Sequence, residues 1–302
     1  MRRFSRISAP PSGMGIIPKV RRAAWRAMWY NSCGMGEVLF LAVLQGVAEF
    51  LPISSSGHLV LAQSLFGVGE CGMRLEVCLH AGTLLSVVAF YRKTIARLLG
   101  GCFAPGADAA ARKAAWLYAA KIVAGSLPAV AAYFLLKRQI DGCFESARFT
   151  GCMLVFTGAV LTATRFLPRG GRPVGFATAL LMGLGQAAAL LPGVSRSGMT
   201  LACARAAKAG AEESAEFSFL MCAPLIAGGL VLEIAKGAAG EAGAVAEAAA
   251  LHSWPELAAG AAVAAVVGWF ALKFLVATLK GRGFWLFGPY CVLAGAATLI
   301  FA

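Results

Sequence analysis

The chain has 302 residues, of which 59% are hydrophobic and 14% charged, and it carries a net charge of +13. Ordinary soluble domains hold about 25% charged residues and about 45 to 50% apolar ones, so the composition excludes a soluble globular domain and points to a membrane protein. The surplus Lys and Arg fall in short gaps between apolar stretches, where basic residues set orientation and meet anionic headgroups, and no zinc-finger, RNA-binding or basic-zipper pattern accompanies them, so nucleic acid is not expected as a partner.

Residues 1–34 form a basic block with Arg2, Arg3, Arg6, Lys19, Arg21, Arg22 and Arg26, interrupted by Pro10, Pro11 and Pro18. It lacks the apolar run of about 7 to 15 residues that a signal peptide needs. It reads as a mobile extension, or as sequence upstream of a start at Met28 or Met35, leaving 35–302 as one integral membrane domain. Six stretches are then long and apolar enough to cross a bilayer as helices, at about 75–91, 115–137, 149–165, 215–235, 257–279 and 284–302. Lys121 lies inside the second, near enough to its start to snorkel. Two further apolar regions, about 36–66 and 175–208, are each broken midway by Pro and a Ser/Gly cluster. Neither half of such a region spans, and broken helices belong in a membrane only where protein or a wet cavity satisfies the freed backbone groups. Both are read as re-entrant hairpins in an all-α polytopic fold.

Loop charge orients the spans. Arg92, Lys93, Arg97, Arg112 and Lys113 are expected on the cytoplasmic side, as are Arg165, Arg169, Arg172, Lys280 and Arg282, whereas 236–256, with Glu241, Glu247 and Glu256, reads as external. The loop at 137–148 is then external despite Lys137, Arg138 and Arg148. The first hairpin enters from outside and the second from the cytoplasm, which makes the halves inverted repeats with a site near the midplane. The same count puts the basic residues 1–34 outside, which favours the later start.

The two breaks look like copies. The first reads Gln45-Gly-Val-Ala-Glu49-Phe-Leu-Pro52-Ile-Ser54-Ser55-Ser56-Gly57-His58 and the second Gln186-Ala-Ala-Ala-Leu-Leu-Pro192-Gly-Val-Ser195-Arg196-Ser197-Gly198-Met-Thr200. They start about 141 residues apart and align with one residue of slippage before the serines. Proline disfavours helix in the residue before it and Ser is a favoured N-cap, so each break ends one half-helix and starts another. A helix N-terminus deep in the membrane is an anion site, and two facing one point suit a diphosphate.

The side chains agree. Arg196 stands where the first copy has Ser55, and a guanidinium in an apolar region is costly, usually functional, and shaped for two phosphate oxygens; the bland reading is an ion pair with a nearby carboxylate. Ser55 and His58, three apart, share a helix face and offer nucleophile and base, although such a pair is elsewhere a cap and a packed ring. Glu49, one turn past Gln45, is an intramembrane carboxylate suited to acting as a base or to holding a divalent cation bound to the diphosphate. Gln45 has the reach to hydrogen-bond the same group but is no base. His80 reads more as a packed helix histidine than as a ligand, Glu216 as a partner of Arg205 or Lys208, Glu233 and Lys236 as interfacial, and His252 as solvated. The nine cysteines are scattered without a C-x-x-C pair and read as small apolar filler, and three histidines (58, 80 and 252) are too dispersed for a His-based metal cage.

Phe50-Leu-Pro-Ile-Ser-Ser-Ser-Gly-His58-Leu, Pro192-Gly-Val-Ser-Arg-Ser-Gly198 and Glu216-Phe-Ser-Phe-Leu220 together resemble the undecaprenyl-diphosphate phosphatase family associated with bacitracin resistance, from about Met35 to the C-terminus. The resemblance implies a bacterial plasma-membrane enzyme that hydrolyses undecaprenyl diphosphate to the monophosphate and inorganic phosphate, recycling the lipid carrier for peptidoglycan synthesis. It also implies a divalent cation, Mg2+ or Ca2+, and an active site open to the outer face; a homodimer is compatible with it. By motif position Glu49, Ser55, His58 and Arg196 match the family's functional residues, and Ser54, Ser56, Gly57, Ser195, Ser197, Gly198 and Thr200 line the substrate site together with Gln45. Some members carry a second glutamate where this chain has Gln45, so a cation site needing two carboxylates on that helix is in doubt here.

The expected mechanism has Arg196 and the helix N-termini hold the diphosphate while Ser55, aided by His58, attacks the terminal phosphorus; direct attack by water with His58 or Glu49 as base is the variant. A lipid-phosphate flippase or anion transporter using the same midplane site is the rival class, and a scaffold for cell-wall enzymes the third. The Ser, His and Glu of one copy opposed by Arg in the other favour hydrolysis, since an anion carrier needs no base.

Overall fold

The computed structural model describes residues 34–66, 73–144, 146–238 and 253–301, so the expectations for residues 1–33 and for His252 lie outside the described residues. Every extended element is a helix: α1 (Met35–Ala48), α2 (Ser55–Phe66), α3 (Met73–Phe90), α4 (Arg92–Phe103), α5 (Ala109–Phe144), α6 (Ala147–Ala163), α7 (Phe176–Ala188), α8 (Arg196–Ala206), α9 (Ala211–Ala238), α10 (Trp254–Lys280) and α11 (Phe287–Phe301), with 3-10 turns at Thr164–Phe166 and Phe284–Leu286. Five are long and apolar enough to cross a membrane, or six if the bent pair Leu75–Phe90 and Arg92–Phe103 counts as one span. α1 and α7 are shorter apolar helices. The two broken regions of the sequence are therefore two pairs of short helices, α1 with α2 and α7 with α8.

Two boundaries differ from those read in the sequence. The span at 115–137 belongs to a helix of 36 residues, and the loop placed at 137–148 is helical to Phe144. The reason is local: Lys137 and Asp141 pair at 3.0 Å with i, i+4 spacing, which carries the helix through its polar end. Lys121, now three turns inside α5, does not reach for the surface but donates to the Val174 carbonyl at 2.7 Å. The chain after Phe90 turns by 75° into α4, whose Arg92 and Lys93 begin it.

Close helix contact follows from small residues, the means by which helices approach where lipid offers no hydrophobic drive. On α6 and α11 the glycines oppose each other reciprocally. A Cβ on Gly158 would lie 2.7 Å from the Gly288 carbonyl, and one on Gly295 would lie 2.7 Å from that of Gly151. α3 meets α10 the same way, with Gly82 against the Ala261 carbonyl, and α5 meets α7 through Gly125 and Gly183.

The basic segments gather at one end. Arg169 donates to the Gly281 carbonyl, Lys280 pairs with Glu212, Arg172 is bridged to Ala209, and Glu216 accepts from Thr94 at 2.8 Å with Arg97 at 3.9 Å. Glu216 therefore does not pair with Arg205 or Lys208; Arg205 donates instead to the Leu167 carbonyl. Glu216, in the second turn of α9, faces α4, and Tyr118 of α5 completes the junction at 3.5 Å.

The glycine contacts give a stability test. Gly158→Ala must push α6 from α11 and should cost on the order of 1–3 kcal/mol, lowering the melting temperature in detergent, whereas Gly228→Ala, with open space around it, should not lower it. Equal behaviour of the two variants would remove the close packing of α6 on α11.

Candidate active site

Each break solves the same backbone problem in the same way. In the first, Ser54 caps α2: its Oγ accepts from the Gly57 N–H at 3.3 Å and lies 3.2 Å from Ser56 Oγ. In the second, Ser195 caps α8: its Oγ accepts from the Gly198 N–H at 3.2 Å and lies 3.4 Å from Ser197 Oγ. These are the residues that the sequence copies align. The slippage also has a place. The left-handed residue is Ser54 itself in the first break (φ 69°) and Gly193, two before the cap, in the second (φ 90°). A side chain at Gly193 would in addition meet the Thr150 carbonyl at 2.3 Å. A non-glycine in that region costs about 1–3 kcal/mol and persists where the surroundings fix it; Ser54 is buried and its hydroxyl is held by Gly57 and Ser56.

The breaks abut. The Gly193 N–H donates to Ser56 Oγ at 3.3 Å, and a Cβ on Gly198 would lie 3.3 Å from that of Pro52. Thr157 of α6 braces the second break, donating to the Gly193 carbonyl at 3.0 Å and accepting from the Ser195 N–H at 3.2 Å. Across the junction Arg196 donates to Glu49 Oε1 at 2.7 Å. Glu49 follows directly on α1 with its side chain 2% accessible; Arg196 opens α8 with its side chain 31% accessible, and its two terminal nitrogens meet Glu49 and Cys222. The bland reading of Arg196, an ion pair with a nearby carboxylate, is met by Glu49, the carboxylate of the first motif. A pocket beside the pair is lined by Glu49, Arg196, Ser197, Ser218 and Cys222, with Phe50, Val87 and Phe219 as its apolar wall.

The other carboxylate oxygen is also engaged. Glu49 Oε2 accepts from Gln45 Nε2 at 3.0 Å and from Ser55 Oγ at 3.2 Å. Ser55 therefore sits on Glu49, and no hydrogen bond joins it to His58. The imidazole is committed elsewhere: Nδ1 lies 2.9 Å from the Ser54 carbonyl, which can only accept, so Nε2 accepts the Tyr290 hydroxyl at 2.6 Å. The rings of His58 and Tyr290 stack as well, 5.5 Å apart. The nucleophile and base geometry expected of Ser55 and His58 is replaced by a Ser55 and Glu49 contact, because the turn at Ser54 leaves its carbonyl, one helical turn behind, to capture the ring. Thr200 lies behind the site, fully buried, bonded to the Arg196 carbonyl at 2.9 Å and to Ser218 Oγ at 2.6 Å.

Three site neighbours had no usable signal in the sequence. Tyr290 is one aromatic in the last apolar stretch; only the rule that a tyrosine hydroxyl in apolar surroundings seeks a partner marks it. Cys222, which takes an N–H of Arg196, reads as filler. His80, expected to be a packed helix residue, instead puts Nε2 at 3.8 Å from Glu49 Oε2.

A divalent cation finds only part of its donor set here. Among the described residues no three His, Cys, Asp or Glu side chains converge. Mg2+ is commonly held by one or two carboxylates plus substrate phosphates, and Glu49 beside an anion-binding arginine fits that arrangement.

Residues 38–297 match the family model described as "Bacitracin resistance protein BacA". The chain belongs to the BacA family. It is 38% identical over 277 residues to a protein of Desulfatibacillum aliphaticivorans named undecaprenyl-diphosphatase, covering 87% of this chain and 97% of that one. Relatives of the same name in Desulfosudis oleivorans (39% over 275 residues, 86% and 95% of the two chains) and Korarchaeum cryptofilum (33% over 273 residues, 88% and 98%) match as fully. With its apolar helices, this BacA chain is a multi-pass membrane protein.

The His58 and Tyr290 contact is testable on stability. In a double-mutant cycle of His58→Ala and Tyr290→Phe, melting in detergent should show a coupling of about 1 kcal/mol, and additive losses would dissolve the clamp.

Proposed function

We infer that this chain is an undecaprenyl-diphosphate phosphatase, a membrane hydrolase that removes the terminal phosphate of the lipid diphosphate and returns the monophosphate carrier to cell-wall synthesis. The activity is that named for its relatives over nearly their whole length. The observation that carries it to particular residues is the Arg196 and Glu49 pair at 2.7 Å, with Ser55 on the second carboxylate oxygen. A binding site for an anion needs the arginine; it does not need a hydroxyl aimed at a buried carboxylate beside it.

In the mechanism that this arrangement supports, the diphosphate competes with Glu49 for the Arg196 guanidinium and takes N–H groups from the first turns of α2 and α8. The carboxylate, relieved of its cation, accepts the Ser55 proton. Ser55 Oγ bonds to the terminal phosphorus, the bond from phosphorus to the bridging oxygen breaks, and undecaprenyl phosphate leaves with the bridging oxygen. Water then displaces the phosphoryl group from Ser55, giving inorganic phosphate and restoring the hydroxyl. Ser54, Ser56, Gly57, Ser195, Ser197 and Gly198 hold the two turns in place, and His58 fixes the Ser54 carbonyl. Glu49 would hold a divalent cation, which when bound neutralises charge on the phosphate oxygens. Fixed charge and positioning supply most of the rate in phosphoryl transfer, so the preset pair matters more than any one proton step.

The same reading orders the fold in a plasma membrane. Six crossings with α1–α2 and α7–α8 as re-entrant hairpins, inverted with respect to each other, put the abutting breaks near the midplane, with the site open to the outer face. The gathering of Arg97, Arg169, Arg172 and Lys280 at one end supports that end as cytoplasmic. A flippase or anion carrier gains no support from relatives that bear a phosphatase name.

The experiment is phosphate release from undecaprenyl diphosphate by the purified protein, with Mg2+ or Ca2+ and with chelator. Arg196→Ala should lower kcat by about a hundred- to a thousandfold, and rapid quench should trap phosphate on Ser55 in the unmodified protein. Release at the unmodified rate from Arg196→Ala would overturn the site, and an active Ser55→Ala with no trapped phosphate would replace the serine by water.

A further inference from the structure

We propose that His80 is a ligand of the site's divalent cation, sharing it with Glu49, and that its nitrogen makes this site prefer a transition ion such as Mn2+ over Ca2+. The inference rests on the phosphatase reading and concerns how this chain holds the ion. Glu49 is a lone carboxylate on its helix, since Gln45 stands one turn before it.

The geometry at Gln45 marks a place for positive charge. Its amide nitrogen lies 3.0 Å from Glu49 Oε2 and 3.4 Å from His80 Nε2, and those two acceptors are 3.8 Å apart. One NH2 group thus points its two hydrogens at two lone pairs. The other ring atom sets the tautomer of the neutral ring: His80 Nδ1 is 3.0 Å from the Glu76 carbonyl, which can only accept, so that ring carries its proton on Nδ1 and presents a lone pair at Nε2. A ring held by a carbonyl on one nitrogen, with the other free to coordinate, is the arrangement that metal-bound histidines almost always show. His58 has the same backbone bond but spends its Nε2 on Tyr290.

Distance and access allow it. Two bonds of about 2.0–2.2 Å each span up to about 4 Å, so both atoms at 3.8 Å can reach one ion with small side-chain adjustment. Turning the Gln45 amide over would replace its NH2 by Oε1, a third ligand directed at the same point. The His80 side chain is 37% accessible against 2% for Glu49, so ion and phosphate oxygens can enter from its side. Imidazole suits transition ions, whereas Ca2+ takes oxygen ligands, and that difference sets the preference.

The test uses the full chain in detergent micelles with Mn2+ and methylenediphosphonate, whose oxygens stand in for those of the substrate and whose bridge is not cleaved. Pulsed electron paramagnetic resonance of bound Mn2+ should show a directly bonded 14N, changed to a 15N pattern in protein grown with 15N-histidine. The signal should disappear in His80→Gln and persist in His58→Gln, and His80→Gln should weaken Mn2+ binding by about tenfold or more, with less change for Ca2+. Bound Mn2+ without nitrogen coupling, coupling that survives in His80→Gln, or no bound Mn2+ would each overturn the assignment. Phosphate release by the same unmodified preparation separates the two readings: release without nitrogen coupling sinks the ligand alone, whereas no release sinks the phosphatase reading.

Discussion

The ion pair between Arg196 and Glu49 is the constraint on which the remainder hangs. Taking a charged side chain out of water is costly unless it is paired and hydrogen-bonded, and this chain brings two of them together from segments far apart in sequence. Each is tolerable only beside the other. The pair at 2.7 Å therefore fixes the end of α1 against the start of α8, and with them the two breaks. In the mechanism proposed above an anionic substrate displaces this pair, so binding and local structure would compete for one guanidinium. That competition requires the breaks to stay together without the ion pair. The Ser56 bond to Gly193 and the contact of Gly198 with Pro52 meet that need, since neither involves a charge.

Much of this was legible. The Pro and Ser/Gly clusters located both breaks, and the alignment of the copies correctly paired Ser54 with Ser195 as caps. The long helices followed from apolar length, and family membership from the motifs. What the sequence hid is contact between distant segments. Spacing put Ser55 and His58 on one face, and that holds as a statement about the helix. It says nothing of Tyr290, 232 residues later, which takes the ring. His80 was read as packed for the same reason, because its neighbours Gln45 and Glu49 lie on another helix. The end of α5 was misjudged differently: charge was taken to mean loop, yet Lys137 and Asp141 at i, i+4 are a helical pair.

The repeats divide labour by side chain while keeping one backbone. Both caps accept from a glycine three residues on, and both have a second serine hydroxyl within 3.4 Å. At the next position the copies part, Ser55 in one and Arg196 in the other, and after the glycine His58 faces Met199. Two arginines would repel each other at a single point; two serines would leave Glu49 a buried charge without a cation. One of each gives a hydroxyl, a counter-charge and a carboxylate between them. The asymmetry is thus demanded by electrostatics at a junction whose backbone is nearly symmetric.

The same reasoning extends to Gln45. A glutamate there would set two carboxylates one turn apart against one arginine, a surplus negative charge that only a cation could balance. With an amide instead, Glu49 and Arg196 neutralise each other, and the amide bridges Glu49 to the His80 imidazole. The junction is then balanced without a metal. A chain with Gln45 can hold its breaks together by this balance alone, and under the proposal above the His80 ring, not a second carboxylate, would share a cation with Glu49.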